Sequence, residues 1–63
     1  MKTYHLEWNF INNTPMTMKE FSNRADAIEF ATENHLTKWR IVELVCGQVF
    51  RVSGTFFKID TNF

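Results

Sequence analysis

Few side chains in this sequence have the type and spacing that catalysis or metal binding needs. His5 and His35 have no further ligand-type residues at metal-binding spacing beside them, and Cys46 has no neighbour that would make it a reactive site. Ser22 and Ser53 lack the glycine-flanked elbow of a nucleophilic serine. We therefore predict a protein that is not an enzyme and that binds no metal and no cofactor.

Three carboxylates have a spacing that would gather them on one side of a helix. Asp26, Glu29 and Glu33 recur at intervals of three and four residues, which are neighbouring positions on an α-helix. Catalytic acids need an enclosing pocket, for which so short a chain has little volume. A helix face of this kind ordinarily contacts only solvent. The alternative is that its negative charges, like those of phosphate groups, bind a basic partner. These residues form the first candidate partner-binding surface.

The helix that would carry these carboxylates is predicted over residues 21–35. Ser22 and Asn23 are both good N-cap residues, because their side-chain oxygens can accept a hydrogen bond from a first-turn amide. At 3.6 residues per turn, the side away from the carboxylates is apolar; it holds Ala27, Ile28, Phe30 and Ala31. The two alanines indicate close packing, so we expect the helix to lie flat across a sheet.

Strand patterns stand on both sides of this helix. Residues 3–11 alternate polar and apolar side chains, as a half-buried strand does; the apolar set is Tyr4, Leu6, Trp8 and Phe10. Residues 12–15, with two asparagines and a proline, are typical of a turn. Residues 16–21 then alternate again. The pattern predicts an N-terminal antiparallel hairpin.

Residues 38–59 predict a three-stranded antiparallel meander. Its first strand, residues 39–46, is β-branched and apolar on both faces, as a central strand should be. A two-residue turn of type II′ is expected at residues 47–48, because glycine suits its first position, and a second tight turn at residues 53–54. The alternative is one longer strand over residues 49–59 with a bulge.

These segments combine into an α+β domain that occupies residues 1–63. The predicted order is ββαβββ: a β-hairpin, one α-helix, then the meander, with the helix packed on one sheet face. The pattern leaves open whether the five strands form one sheet or a curled half-barrel.

The two turns of the meander decide which residues share a face, because a shift by one residue exchanges the faces. The face expected to take the helix is almost purely apolar: Trp39, Ile41, Val45, Phe50, Val52, Phe57 and Ile59. Glu43 falls among them, which indicates a rim position or a different register. The other face mixes cations with apolar residues: Arg40, Val42, Leu44, Cys46, Val49, Arg51, Phe56 and Lys58. Cys46 is expected there, or buried, as a small hydrophobe. Arg40, Arg51, Phe56 and Lys58 form the second candidate partner-binding surface.

Composition restricts the partners and the location. The formal net charge is zero, so no global field attracts nucleic acid or a membrane. The single cysteine cannot form an intramolecular disulfide, and no apolar run approaches the length of a membrane span or a signal peptide. We expect a cytoplasmic protein, in the producing cell or in a host cell.

Binding is therefore the function that the sequence favours. An apolar patch rimmed by charge more often marks a protein interface, so we expect a small protein-binding module, whose partner could itself be basic and bind nucleic acid. In general type it resembles small phage or mobile-element proteins that inhibit a host machine by docking on it. The alternatives are a small RNA- or single-stranded-DNA-binding protein that stacks bases on Phe56, and a structural homodimer paired through open strand edges.

Overall fold

The fold is one antiparallel sheet with a helix across one of its faces. A computed structural model describes residues 1–56. It contains strands β1 (Lys2–Ile11), β2 (Thr14–Phe21), β3 (Trp39–Val45) and β4 (Gln48–Gly54), and helix α1 (Arg24–Glu33). The strand order is β2-β1-β3-β4, and each neighbouring pair is antiparallel. The predicted α+β class and the helix on one sheet face are confirmed.

The number of strands differs from the predicted pattern. Residues 1–56 form four strands in a single sheet, in the order ββαββ. β4 continues through Ser53 and Gly54, where the sequence predicts a second tight turn. Thr55 and Phe56 follow β4 outside any strand. The remainder of the predicted fifth strand, residues 57–59, lies outside the described residues.

The β1–β2 hairpin is confirmed, with a shorter turn than predicted. Asn12 and Asn13 alone form the turn, with φ angles of 53° and 69°, and positive φ at both central residues is the mark of a type I′ turn. Pro15 already lies in β2, where it pairs with Phe10. A proline is tolerated there because β2 is an edge strand, where one side of the backbone needs no ladder donor.

Both ends of α1 lie inside the predicted helix. At the N-terminus, the Asn23 side chain accepts a 2.8 Å hydrogen bond from the backbone amide of Asp26, so the predicted asparagine cap is confirmed. At the C-terminus, His35 has a φ of 56°, and the amide of Leu36 donates to the carbonyl of Ala31 at 3.0 Å. This is the Schellman arrangement, with histidine at the left-handed position that glycine usually fills.

The core lies between α1 and the two central strands. Its fully buried members are Leu6, Ala27, Ala31 and Ile41. Partly buried side chains pack around them: Tyr4, Trp8, Phe21, Ile28, Phe30, Leu36 and Trp39. The predicted apolar side of the helix is thus the side that meets the sheet. Full burial of a side chain such as Leu6 or Ile41 contributes about 1.5–3 kcal/mol.

The turn between β3 and β4 lies one residue earlier than predicted. Cys46 and Gly47 form it, with φ angles of 53° and 82°, which again fits type I′ rather than type II′. A bulge between Glu43 and Leu44 shifts the register further along the hairpin. The prediction that Cys46 is a buried or sheet-face residue is therefore wrong, because it is exposed in the turn.

This bulge, and not the displaced turn, exchanges the faces of the part of β4 that follows it, because Phe50 is an extra residue in β4. Glu43 pairs with Arg51 and Val42 pairs with Val52, and directly paired residues share a face. Arg51 therefore lies on the helix side and Val52 on the opposite side, the reverse of the prediction. Phe50, predicted to face the helix, sits at the bulge and is 68 % exposed. The prediction for the helix-facing residues of early β3 is confirmed, since Trp39 and Ile41 both contact the core.

Asn9 interrupts the alternation of β1. Its φ is 60°, a left-handed value that asparagine adopts more readily than most residues. The predicted alternation holds up to Trp8, which packs on the core. Phe10 instead contacts Phe56 and Arg40, so the prediction that it shares the core-facing side is wrong.

Candidate functional site

Arg40 lies on the open face, by which we mean the side of the sheet opposite α1. Its neighbours in β3, Trp39 and Ile41, face the helix, and its pairing partner in β1 is Glu7. The Nε atom of Arg40 donates to Oε1 of Glu7 at 2.6 Å. The Arg40 side chain is only 6 % exposed, yet its Nη1 atom is buried without a hydrogen-bond partner among residues 1–56. Because buried donors are nearly always paired, this one needs an explanation.

One aromatic ring lies against this guanidinium, and a second ring and a lysine lie beside the first ring. The rings of Phe10 and Phe56 meet edge to face at 4.2 Å. The guanidinium carbon of Arg40 is 5.2 Å from the centre of the Phe10 ring, and Nζ of Lys38 is 4.6 Å from the centre of the Phe56 ring. We call Glu7, Phe10, Lys38, Arg40 and Phe56 the Arg40 cluster. It holds two cations and one carboxylate.

The segment after β4 is held against the start of β3, which brings Phe56 into the cluster. The backbone amides of Thr55 and Phe56 both donate to the carbonyl of Trp39, at 3.1 and 2.9 Å. Gly54 makes this approach possible with a φ of 124°. A Cβ atom on Gly54 would lie 2.8 Å from the Trp39 carbonyl oxygen and 2.9 Å from its ring, so another residue does not fit without a shift.

Arg51 belongs to a different group of charges on the helix side of the sheet. Its Nε atom is 3.7 Å from Oε1 of Glu43, and Nζ of Lys2 is 3.4 Å from Oε2 of the same residue. The Glu43 side chain is 6 % exposed and the Arg51 side chain 58 %. Glu43 is thus a buried carboxylate with two more exposed cations over it, rather than a rim residue.

The second candidate surface is therefore not one surface. Arg40 and Phe56 are brought together through Phe10, Arg51 lies on the other face, and Lys58 lies outside the described residues. The bulge explains the separation, since the extra residue Phe50 moves Arg51 across the sheet. That these residues bind a partner stays a prediction.

The first candidate surface is assembled as the helical spacing predicts. Asp26, Glu29 and Glu33 are all exposed, on α1 and away from the buried alanines. Asp26 also accepts a 2.9 Å hydrogen bond from Nδ2 of Asn23. None of the three is in an ion pair within residues 1–56. The last turn of α1 contains no basic residue, so Glu33 stands unneutralised near the negative end of the helix dipole.

The open face also carries apolar side chains. On β2, Met16 and Met18 are 61 % and 52 % exposed; Met18 pairs with Glu7 and so shares its face. A second group lies on β3 and β4: Val42, Leu44, Val49 and Val52. Of these, Val49 is exposed and Val42 is buried. Between the two groups run Glu7 and His5 of β1.

The remaining candidate groups do not converge. Within residues 1–56 no set of three histidine, cysteine, aspartate or glutamate side chains is placed to hold a metal ion. A shallow groove of about 450 Å³ lies beside the start of β1, lined by Met1, Lys2, Thr3, Glu20, Phe21 and Ser22. It contains neither histidine and not Cys46. In the same part of the chain, no helix is long and apolar enough to cross a membrane.

Glu7, Phe10 and Lys38 are members of the cluster that the sequence pattern did not single out. In the sequence, Glu7 is one of the polar residues of an alternating strand. Its pairing with Arg40 depends on the contact between β1 and β3, two strands that are separated in the sequence by β2 and α1. Phe10 reads as a core residue until the left-handed Asn9 is known. The one available signal was a cation at Arg40 inside an otherwise apolar central strand, which calls for a buried counter-charge.

No family model matches this chain, and it has no match among curated proteins or solved structures.

Proposed function

We propose that this protein is a small, non-enzymatic protein-binding module that contacts its partner through the open face. The supporting observation is the one-sided packing of the sheet: α1 covers one face, and no other helix or strand of residues 1–56 covers the second. Met16 and Met18 are both more than half exposed there. Exposed apolar side chains beside polar ones are typical of protein interfaces, and flexible thioethers suit an adaptable contact.

We also propose what kind of module it is. A chain of 63 residues with no net charge suits a protein that acts by covering a surface of a larger one. The proposed role is inhibition of a host protein or nucleoprotein machine, in the manner of phage or mobile-element proteins, in the cytoplasm. The support for this finer role is size and charge alone.

The acidic helix face offers the same module a second contact. Asp26, Glu29 and Glu33 project away from the sheet without ion pairs among the described residues. An acidic residue near a helix C-terminus costs about 0.3–1 kcal/mol through the dipole, and Glu33 occupies that position. A basic partner, including a nucleic-acid-binding protein, would neutralise this face.

The decisive experiment is affinity capture with matched variants of the tagged protein. We would compare wild type, Met16→Ser/Met18→Ser and Glu29→Gln/Glu33→Gln in lysate of the producing or host cell, with and without nuclease, after circular dichroism shows that all three fold. The proposal expects one stoichiometric protein that survives nuclease. Its recovery should fall about 10-fold or more with the methionine variant, since interface anchors commonly contribute over 1.4 kcal/mol together, and stay with the glutamate variant.

Other outcomes assign the function differently. If only the glutamate variant fails to recover the captured protein, the contact lies on the acidic face of the helix. Loss of every captured partner on nuclease treatment would point to nucleic acid. Capture of the bait alone would favour self-association, which light scattering would then measure.

A small RNA- or single-stranded-DNA-binding protein is the second candidate function. It is favoured by the rings of Phe10 and Phe56 beside Lys38 on the open face, which resemble a stacking platform. It is disfavoured by the Glu7 carboxylate, which neutralises Arg40. Binding of a labelled oligonucleotide that weakens steeply with salt would support it, because phosphate contacts release counterions.

A structural homodimer is the third candidate. In the described sheet, β2 and β4 are the edge strands, and edges can pair across a two-fold axis. Pro15 of β2 has no backbone donor to offer such a pairing, and the bulge interrupts the hairpin of β4.

A further inference from the structure

We propose that the Arg40 cluster is a carboxylate-binding site that takes an Asp or Glu side chain of a protein partner. The source of the carboxylate rests on the proposed protein-binding function. The affinity of the site for a carboxylate does not rest on that function, because the affinity follows from the donors and charges that the cluster contains.

The first argument is the incomplete set of hydrogen bonds around Arg40. Its Nε atom donates to Glu7, and its Nη1 atom is buried with no partner in the described part of the chain. A guanidinium presents its donors in a planar fork that matches the two oxygens of a carboxylate. A buried donor that is left unpaired destabilises the folded chain. An incoming carboxylate would supply the missing acceptor.

The second argument is the uncompensated charge of Lys38. Its ammonium group lies over the rings of Phe56 and Phe10, at 4.6 and 5.8 Å, and no carboxylate of residues 1–56 forms an ion pair with it. Aromatic faces hold a cation in place without neutralising it. With Arg40 and Glu7, the cluster therefore has a net charge of +1, which one carboxylate balances.

Access to Nη1 of Arg40 requires that neighbouring side chains move, because the atom is buried. Lys38 is exposed and Phe56 is half-buried, and both lie outside the strands. Exposed side chains such as Lys38 change rotamer within picoseconds to nanoseconds. The proposal requires Nη1 to become accessible while β1, β3 and the Glu7 ion pair stay as they are.

The charge distribution favours a single carboxylate over a polyanion. Affinity for nucleic acid grows with the number of phosphates that cations neutralise. Among the described residues, the other cations are placed elsewhere: Lys2 and Arg51 lie over Glu43, Lys19 lies over rings of the helix side, and Arg24 donates to Ser53. As far as residues 1–56 form it, the open face thus lacks a row of cations along which a phosphate backbone could bind.

The test is a nuclear magnetic resonance titration with defined probes on the full chain. The probes are acetyl-Ala-Glu-Ala-amide, its Gln analogue and a ten-nucleotide thymidine strand, all at constant ionic strength. We expect the Glu peptide to shift the Arg40 Nε–H and the amides of Lys38 and Phe56 in a saturable way, with a dissociation constant on the order of 10 mM, as one charge-assisted pair would give. The Gln peptide should leave them unshifted.

A matched pair of variants identifies the site. Lys38→Gln should weaken binding of the Glu peptide about 3- to 10-fold, as loss of one charged contact does. Lys19→Gln removes a cation that also lies over two rings, and should leave binding unchanged. Both lysines are exposed, so both variants should fold.

Three results would overturn the proposal. One is an equal response to the Glu and Gln peptides, and another is equal weakening by Lys38→Gln and Lys19→Gln. The third is saturation by the thymidine strand at concentrations well below those of the peptide, which would assign the site to phosphate. If the peptide binds but affinity capture finds no protein, the site stands and the proposed function fails. If capture succeeds but the peptide does not bind, the function stands and this site fails.

Discussion

The two faces of the sheet each carry a lysine over a pair of phenylalanine rings, and the two groups differ in what the rings contact. In the Lys19 cluster, by which we mean Lys19, Phe21 and Phe30, Nζ is 5.7 and 5.8 Å from the two ring centres. In the Arg40 cluster, the corresponding distances from Lys38 are 5.8 and 4.6 Å. Residue types and distances are nearly the same.

What differs is the structure beneath the rings. Phe30 contacts Trp8 as well as Phe21, at ring-centre distances of 5.6 and 5.7 Å, and both phenylalanines pack against the core. The lysine there covers apolar surface with its stem while its charge reaches water. Phe10 and Phe56 instead lie outside the core, and Phe10 lies against a guanidinium that has a donor without a partner among residues 1–56. The buried donor, and not the lysine over aromatic rings, is therefore what distinguishes the Arg40 cluster from the Lys19 cluster.

The largest expected effect comes from removing the counter-charge of Arg40. Glu7→Ala should lower the free energy of unfolding by about 3–5 kcal/mol, because it leaves a buried guanidinium without its carboxylate. Urea denaturation would measure this, with Glu7→Gln as a milder variant that keeps an acceptor. The Lys19 cluster contains no equivalent residue.

A double-mutant cycle separates the ion pair from simple packing. Glu7→Ala together with Arg40→Met should recover most of the loss, since the buried charge is then absent. If the double variant is as unstable as the sum of its parts, the two side chains do not act as a pair and the contrast between the clusters disappears.

The next effect concerns the glycine that brings Phe56 to Arg40. Gly54→Ala should destabilise the fold by about 1–3 kcal/mol, because of the left-handed φ of Gly54 and the contact with Trp39. Gly47→Ala is the control. Its φ is also positive, at 82°, but a Cβ there meets no atom within 4 Å, so the cost should be about 1 kcal/mol or less.

A ring-current measurement sharpens this prediction. In Gly54→Ala, the proton shifts of Phe10 should move toward those of a solvent-exposed ring as Phe56 separates from it, while those of Phe30 should not change. Equal changes in both clusters would contradict the assignment of Gly54 to one of them.

The smallest expected effect treats the two lysines alike. Lys19→Gln and Lys38→Gln should each cost about 0.5–1 kcal/mol, as loss of an exposed cation–aromatic contact does. Thermal unfolding of the two variants would measure this. The two variants should therefore differ in carboxylate binding and not in stability. A much larger loss of stability in Lys38→Gln would show that Lys38 has a structural role.

Local patterning predicts the helix and the core side of this fold. The apolar spacing of Ala27 and Ala31 and the cap at Asn23 are properties of neighbouring residues, so short-range sequence reasoning reaches them. The same holds for Trp39 and Ile41, because alternation within one strand decides which of its residues share a face.

The candidate site could not be predicted in full, because a bulge and two backbone angles decide it. The extra residue Phe50 in β4 moves Arg51 across the sheet. Asn9 and Gly54 have positive φ; Asn9 moves Phe10 to the open face, and Gly54 allows the segment after β4 to approach Trp39. Cys46 also has positive φ, which cysteine rarely adopts, so the sequence predicts the turn one residue later, but this shift alone leaves the faces of β4 unchanged. Long-range pairing of β1 with β3 then selects which charges meet.

The pairing of β1 with β3 also has a consequence for how the chain reaches this fold. Each hairpin closes a short loop and can form within microseconds, whereas the seam between them joins segments separated by the helix and must await a slower search. Arg40 has its carboxylate partner across that seam in Glu7, and Glu43 has one of its two cations there in Lys2. If β1 and β3 paired two residues out of register, the Arg40 guanidinium would be buried without a carboxylate. Such misaligned pairings should therefore dissociate, and the strands should pair again until the charges match.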